Sequence, residues 1–223
     1  MAVSLDQAAV PGTAEEATAV VDAVLAASSA DELDWIEWKS GLDLSNKAVR
    51  GTLARHVLGL ANRMPGTAAG RAGGRGFMVV GAEPGDRRGI TAADPADLSQ
   101  GIDAFLGPDR PSWTMHYDDR DGLPVLVLTV AAPRSGDPAF TLFKELEVMS
   151  PDGKRKVYPR GTIFVRHQGR TEIARPEDVP PCWSGSRDRS GKPARRLGKA
   201  RKSPGPGMRQ KNATGSGARC STF

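Results

Sequence analysis

Glu37 stands two residues before Lys39 in the stretch Glu32-Leu33-Asp34-Trp35-Ile36-Glu37-Trp38-Lys39, which reads as a short strand. A strand sends alternate side chains to opposite faces, so Trp35, Glu37 and Lys39 are expected on one face and Ile36 and Trp38 on the other. A carboxylate two residues before a lysine on one face is a layout that metal-dependent nucleases use. The carboxylate holds Mg²⁺ or Mn²⁺, which favour oxygen ligands. The lysine orients a water or meets the charge developing on a phosphate. Glu32, five residues before Glu37, supplies a second ligand if the chain bends between them. The same residues also suit a half-buried edge strand with an exposed ion pair, and so short a pattern does not choose between the two.

The surrounding pattern supplies the elements that must position these groups. Thr13-Ala14-Glu15-Glu16 is a capping box, and Ala17, Val20, Val21, Val24 and Leu25 follow at helical spacing, so a first helix is expected over about 14–28. Ser45 or Asp43 caps a second helix with Val49, Leu53, Val57 and Leu60 on one stripe, ending near Arg63. Residues 65–76 read as a Gly/Ala/Arg loop, 77–81 as an apolar strand, and 88–90 as a short return strand. A third helix over 95–105 turns Leu98, Ile102 and Phe105 inward. Strands are expected at 111–117, 123–131, 140–143 and 162–166, with a short helix opening at Pro176. Helices and strands without regular alternation indicate an α+β fold with a mixed or antiparallel sheet flanked by helices. The organisation expected is an N-terminal helical segment at 1–30, one compact domain at 31–181, and a tail at 182–223.

Charge separates that tail from the body. The net charge is +5, yet residues 182–223 carry eleven Lys or Arg against one acid, Asp188, leaving the rest at −5. The tail is rich in Gly, Ser and Pro and poor in large apolar residues, a composition expected to stay disordered. A basic tail on a mildly acidic body suits contact with nucleic acid or acidic surfaces, or is simply a solvated terminus. No run of 18 apolar residues suggests a membrane span. Residues 1–10 do not read as a secretory signal, and Cys182 and Cys220 offer neither zinc spacing nor a disulfide framework. A reducing cytoplasm is therefore the expected location.

Five blocks, in order, resemble the Schlafen AlbA_2 domain, a nucleic-acid-binding module of bacterial proteins and of Schlafen proteins. They are the acid-rich opening at 32–39, Val57-Leu58-Gly59-Leu60-Ala61-Asn62, Gly73-Gly74-Arg75-Gly76-Phe77-Met78-Val79-Val80-Gly81, the strand at 122–130, and Gly161-Thr162-Ile163-Phe164-Val165-Arg166-His167-Gln168-Gly169-Arg170-Thr171. The chain departs from the family pattern by inserting residues 63–72 between the Ala-Asn pair and the glycines. Some Schlafen members are metal-dependent RNases with three carboxylates. The resemblance carries that triad onto Glu32, Glu37 and Glu83, with Lys39 beside it. It implies either a DNA- or RNA-binding module, with a regulatory role, or a nuclease using Mg²⁺ or Mn²⁺ for phosphodiester hydrolysis. A protein-interaction scaffold is the third reading. Pairing of two copies is a further expectation of the family.

Arg166 is the family's closing arginine, expected either to pair bidentately with a phosphate or to form a structural salt bridge. Arg170 is the second binding candidate, and Arg71 and Arg75, in and beside the inserted loop, are the others. Glu83 reads otherwise as an ordinary turn acid before Pro84-Gly85. Gly73-Gly74-Arg75-Gly76 is not followed by Gly-Lys-Ser/Thr, so it is read as a tight turn rather than a phosphate-binding loop. His56 is read as a surface or half-buried helix residue, His116 as a strand-face residue and His167 as exposed. No Ser/His/Asp or Cys/His set can be argued from the spacing, and no helix-turn-helix, RNP or zinc signature selects RNA or DNA.

Overall fold

The computed structural model describes residues 12–28, 31, 33–149, 153–167 and 169–178. Glu32, both cysteines and the basic tail lie outside them. By backbone proximity the chain divides into Met1–Ser186 and Arg187–Phe223, and every described residue belongs to the first unit.

The elements run α1 (Ala14–Leu25), β1 (Ile36–Lys39), α2 (Lys47–Ala61), α3 (Pro65–Ala68), β2 (Gly76–Val80), β3 (Ala82–Glu83), β4 (Asp86–Arg87), α4 (Pro95–Leu106), β5 (Trp113–Arg120), β6 (Leu123–Val130), β7 (Leu146–Met149), β8 (Arg155–Tyr158), β9 (Phe164–His167) and β10 (Arg170–Ile173). The fold is α+β around a mixed sheet of order β1-β2-β6-β5. β1 and β2 are parallel, with Glu37 opposite Met78 and Lys39 opposite Val80. That pairing needs a crossover, and the connection between the two strands contains α2. The other pairs in the sheet are antiparallel.

The two-residue period of the strands separates two cores. Met78, Val80, Leu126, Leu128 and Val130 pack under Leu53, Val57 and Leu60 of α2 and Leu98, Ile102 and Leu106 of α4. Phe77, Val79, Val125 and Val127 pack on the opposite face under Val20, Val21 and Val24 of α1. Trp35 joins this second core with Ile36 and Trp38. This corrects the expected alternation: the strand begins at Ile36 and Trp35 belongs to the preceding turn. Its ring stands edge-on to Phe77, 6.1 Å between centroids.

Local signals explain the helix starts. Thr13 Oγ1 accepts from the Glu16 N–H at 3.2 Å, and Glu16 Oε2 accepts from the Gly12 N–H at 2.7 Å. α2 is capped by Asn46, whose side chain accepts from the Ala48 N–H at 2.9 Å, rather than by Ser45 or Asp43. Three good capping residues stand close together there, and propensity does not rank them. Asp43 instead accepts from the Ser45 N–H at 3.0 Å. Asn62 ends α2 and spends its amide on tertiary structure, donating to Phe140 O and Phe164 O at 2.8 and 2.9 Å and accepting from the Phe140 N–H at 2.9 Å. The stretch 140–143, expected as a strand, therefore forms only the bridge Thr141–Ile163. The expected loop at 65–76 holds α3 and a 3-10 turn at Ala72–Gly74.

The β7–β8 and β9–β10 hairpins are separate two-stranded ladders. They approach α2 closely because two of its residues lack a side chain. A Cβ on Gly51 would lie 2.3 Å from Leu146 Cδ1, and one on Gly59 2.7 Å from Thr171 Cγ2.

On the α1 side, buried Asp118 joins three elements. Oδ2 accepts from Arg87 NH1 at 2.7 Å and from Arg120 Nε at 2.9 Å, and Oδ1 accepts from Thr18 Oγ1 at 2.9 Å. Arg120 NH1 also pairs with Asp22 Oδ1 at 2.7 Å. Among the described residues no helix is long and apolar enough to cross a membrane.

Candidate functional site

Glu37 leaves β1 on the α2 side and is 2 % exposed. Arg166 NH1 and His56 Nδ1 approach its Oε2, the latter at 3.6 Å, and Lys39 Nζ pairs with its Oε1. Arg166 is clamped further by donating from Nε to Leu33 O at 3.0 Å and from NH2 to Ile36 O at 2.6 Å. Its three nitrogens thus fix the β1 backbone, the segment before it and the carboxylate together, as a planar guanidinium fork allows and an ammonium does not.

His56 is 3 % exposed, against the expectation of a surface or half-buried ring. Burial pushes it down to about 3, although Glu37 pulls the other way, so the ring is neutral at physiological pH. Arg55 NH2 lies 3.4 Å from Nε2 and can only donate, which makes Nε2 the acceptor and leaves the proton on Nδ1. Nδ1 then donates to Thr171 Oγ1 at 3.1 Å. Burial alone would raise the Glu37 carboxyl; His56 when charged, Arg166 and Lys39 hold it below its ordinary value. With His56 neutral, Arg166 and Lys39 carry the charge balance.

This network forms the floor of a groove of about 860 Å³ whose walls come from β1, α2, the β7–β8 hairpin and β10. Arg55, Lys156 and Arg170 line it without a carboxylate partner among the described residues. Lys39 lines it with a side chain 42 % exposed. Arg175 is paired to Glu172 only at 3.5 Å. Arg88, Arg110 and Arg155 on the surface each pair with an acid.

Of the residues singled out in the sequence, Glu37, Lys39 and Arg170 come together here. Arg166 takes the structural alternative, its side chain fully buried on Glu37. Arg75 is also buried rather than offered to a ligand, its Nε 3.0 Å from Glu16 Oε1 on the α1 side. Arg71 is exposed at the 3-10 turn and does not line the groove. Glu83 pairs with Arg88 in the β3–β4 hairpin and is likewise absent from the groove lining. Arg55, His56, Lys156, Thr171 and Arg175 were missed as site residues. For Lys156 the available signal was the alternation Lys156-Val157-Tyr158 on a strand; for His56 it was a place on the apolar side of α2.

A divalent cation finds little to hold it among these groups. Each Glu37 oxygen already has a cationic partner, Glu83 is paired elsewhere, and no group of three or more His, Cys, Asp or Glu is placed for a metal among the described residues. The described residues assemble no Mg²⁺ or Mn²⁺ site around Glu37, and Glu32 lies outside them; no catalytic step is derived through either ion. Searches of protein-family models, curated proteins and solved structures return no match to this chain.

Proposed function

We infer that the groove binds the phosphate backbone of a nucleic acid. The observation that carries this reading is the set Arg55, Lys156 and Arg170, three cations lining one groove with no carboxylate partner among the described residues, while the groove's own acids, Glu37 and Glu172, pair with other cations. Three cations gathered in one groove without a carboxylate partner repel one another unless an anion joins them. A polyanion is the natural partner, because each phosphate neutralised releases a counterion. The buried Glu37–Arg166–His56 floor keeps the walls in place without adding a free negative charge. The basic tail and the resemblance to the Schlafen AlbA_2 domain support the same reading, and family membership is part of this proposal. The cations address backbone rather than bases, so RNA and DNA are both admitted.

The test is binding of labelled duplex DNA, structured RNA and single strands by the full chain across 50–200 mM salt, with Arg55→Gln/Lys156→Gln/Arg170→Gln beside the wild type. The wild type is expected to weaken steeply with salt. The triple variant should flatten the log–log slope by about 3, one unit per lost phosphate contact. Arg88→Gln, which removes a paired cation, should leave the slope unchanged. Salt-independent binding by the wild type, or an unaltered slope in the triple variant, ends the reading.

A further inference from the structure

The groove that gathers Arg55, Lys156 and Arg170 also gathers apolar side chains. The three cations stand on three different elements, α2, β8 and β10. Val148 lies opposite Lys156 in the β7–β8 ladder and lines the same space, with Met149 next to it. Ile173 lines it too, three residues after Arg170 in β10. Met149 is 66 % exposed and Ile173 51 %, which makes Met149 the most exposed large apolar residue among those described. Scattered exposed apolar residues are ordinary, but apolar side chains collected at a cavity among polar ones mark a binding surface. The partner that fits carries negative charge and apolar surface on the same short length.

The two forms of a nucleic acid differ in that respect. A duplex turns its sugar-phosphate rails outward and stacks its bases inside. A single strand carries phosphates and, between them, bases whose flat faces are open to contact. Size points the same way. The cavity, of about 860 Å³, lies in the ~300–1,000 Å³ range of sites that enclose a drug-sized molecule, the scale of a nucleotide or two rather than of a double helix. Tyr158, also in the lining, is 5 % exposed and stands edge-on to Phe164, so it offers no open ring for stacking. Contact with the bases therefore falls to the aliphatic residues, and all four bases have faces that suit it.

We propose that the groove takes single-stranded rather than duplex nucleic acid, with phosphates on Arg55, Lys156 and Arg170 and base faces against Met149 and Ile173. The proposal rests on the reading of the groove as a phosphate-backbone site and names the form of the strand. Charge alone predicts the reverse order. A duplex packs about one negative charge per 1.7 Å of axis, a line density about twice that of either strand, and on that account binds a basic surface more tightly.

The experiment is fluorescence anisotropy of the full chain with one labelled oligonucleotide of mixed, unstructured sequence, alone and annealed to its complement, across the salt range used above. DNA and RNA versions run in parallel. The single strand is expected to bind at least about tenfold more tightly than its duplex. Met149→Thr/Ile173→Thr should weaken the single strand about tenfold while keeping the salt slope, which the cations set. Both positions are exposed, and the comparison of strand with duplex in the wild type needs no substitution. Tighter binding of either the RNA or the DNA strand than of its duplex sustains the proposal and names the sugar. A duplex bound as tightly as the strand, or a double variant that binds the strand as the wild type does, overturns it. The groove reading then still stands if Arg55→Gln/Lys156→Gln/Arg170→Gln flattens the salt slope. Strand and duplex binding that this triple variant leaves unchanged removes the groove reading, and this proposal with it.

Discussion

Two buried carboxylates, one on each face of the sheet, sit in similar company and do different things. Asp118 is held by Arg87 and Arg120, and Arg120 pairs onward with Asp22. Glu37 is held by Arg166 and Lys39, but Arg55, Lys156 and Arg170 line the same groove without a carboxylate partner among the described residues. The Asp118 centre closes its charges on itself, as a structural tie between α1, β4 and β5 does. The Glu37 centre leaves a surplus of positive charge at a cavity. A buried ion pair alone is therefore a poor guide to function in this chain; the balance of charge around the pair is the informative quantity.

Breaking each centre should separate them. The largest expected effect is Arg166→Met, which leaves Glu37 buried with Lys39 alone and strips hydrogen bonds from Leu33 O and Ile36 O. A loss of ~3–5 kcal/mol is expected in urea unfolding. Arg87→Met, at the rim of the Asp118 centre with a 13 % exposed side chain, should cost less, ~1–3 kcal/mol, because Arg120 and Thr18 still hold the carboxylate. Equal losses would show that the two centres are equivalent ties.

Acid should reach the two faces at different pH. Unfolded His56 takes up a proton near 6.5, and the folded ring does so only near about 3. Between those values the unfolded chain holds the extra proton, so stability falls as pH drops below about 6.5. The Asp118 carboxyl is depressed below 3.8: burial opposes this, but hydrogen bonds from Arg87, Thr18 and Arg120 outweigh it. The stability Asp118 contributes is present above 3.8 and disappears only as pH falls through its lower folded value. Urea midpoints between pH 7.5 and 4 should therefore decline in the wild type and stay flatter in His56→Asn. A parallel decline in both would assign the loss to other groups.

The smallest effect sharpens the geometry of the groove. Gly59→Ala places a methyl 2.7 Å from Thr171 Cγ2, so Thr171, and with it the α2–β10 contact, must shift. A cost of ~1–3 kcal/mol is expected, together with weaker binding of the labelled oligonucleotides, because the His56–Thr171 contact and the Arg170 wall move with β10. Unchanged affinity at reduced stability would show that the groove tolerates that displacement.

Much of the frame was legible in the sequence, and the site only in part. The alternation of Glu37 with Lys39 placed both correctly, since a strand's period is local. Trp35 was misplaced because the strand's first residue depends on pairing with Phe77 rather than on its own sequence. β7 and β8 were not foreseen. Each has four residues, and exposed Met149 and Val157 blur the inside–outside contrast that marks a half-buried strand. Lys156 was lost with them. The fates of Arg166 and Arg75 depended on acids 129 residues and 59 residues away in the chain, a distance that no spacing argument spans.

The ladders of the fold set how the groove can move. One wall belongs to the central sheet, another to α2, and the others to hairpins that share no backbone hydrogen-bonding ladder with that sheet. Side-chain packing, such as Gly51 against Leu146 and Gly59 against Thr171, sets the spacing between them. The cleft's aperture is thus set by side-chain packing and by the ties of Arg166 and Thr171 to β1 and α2 rather than by the central sheet's own ladder, so a substitution there can reshape the groove while leaving that sheet's hydrogen bonds intact.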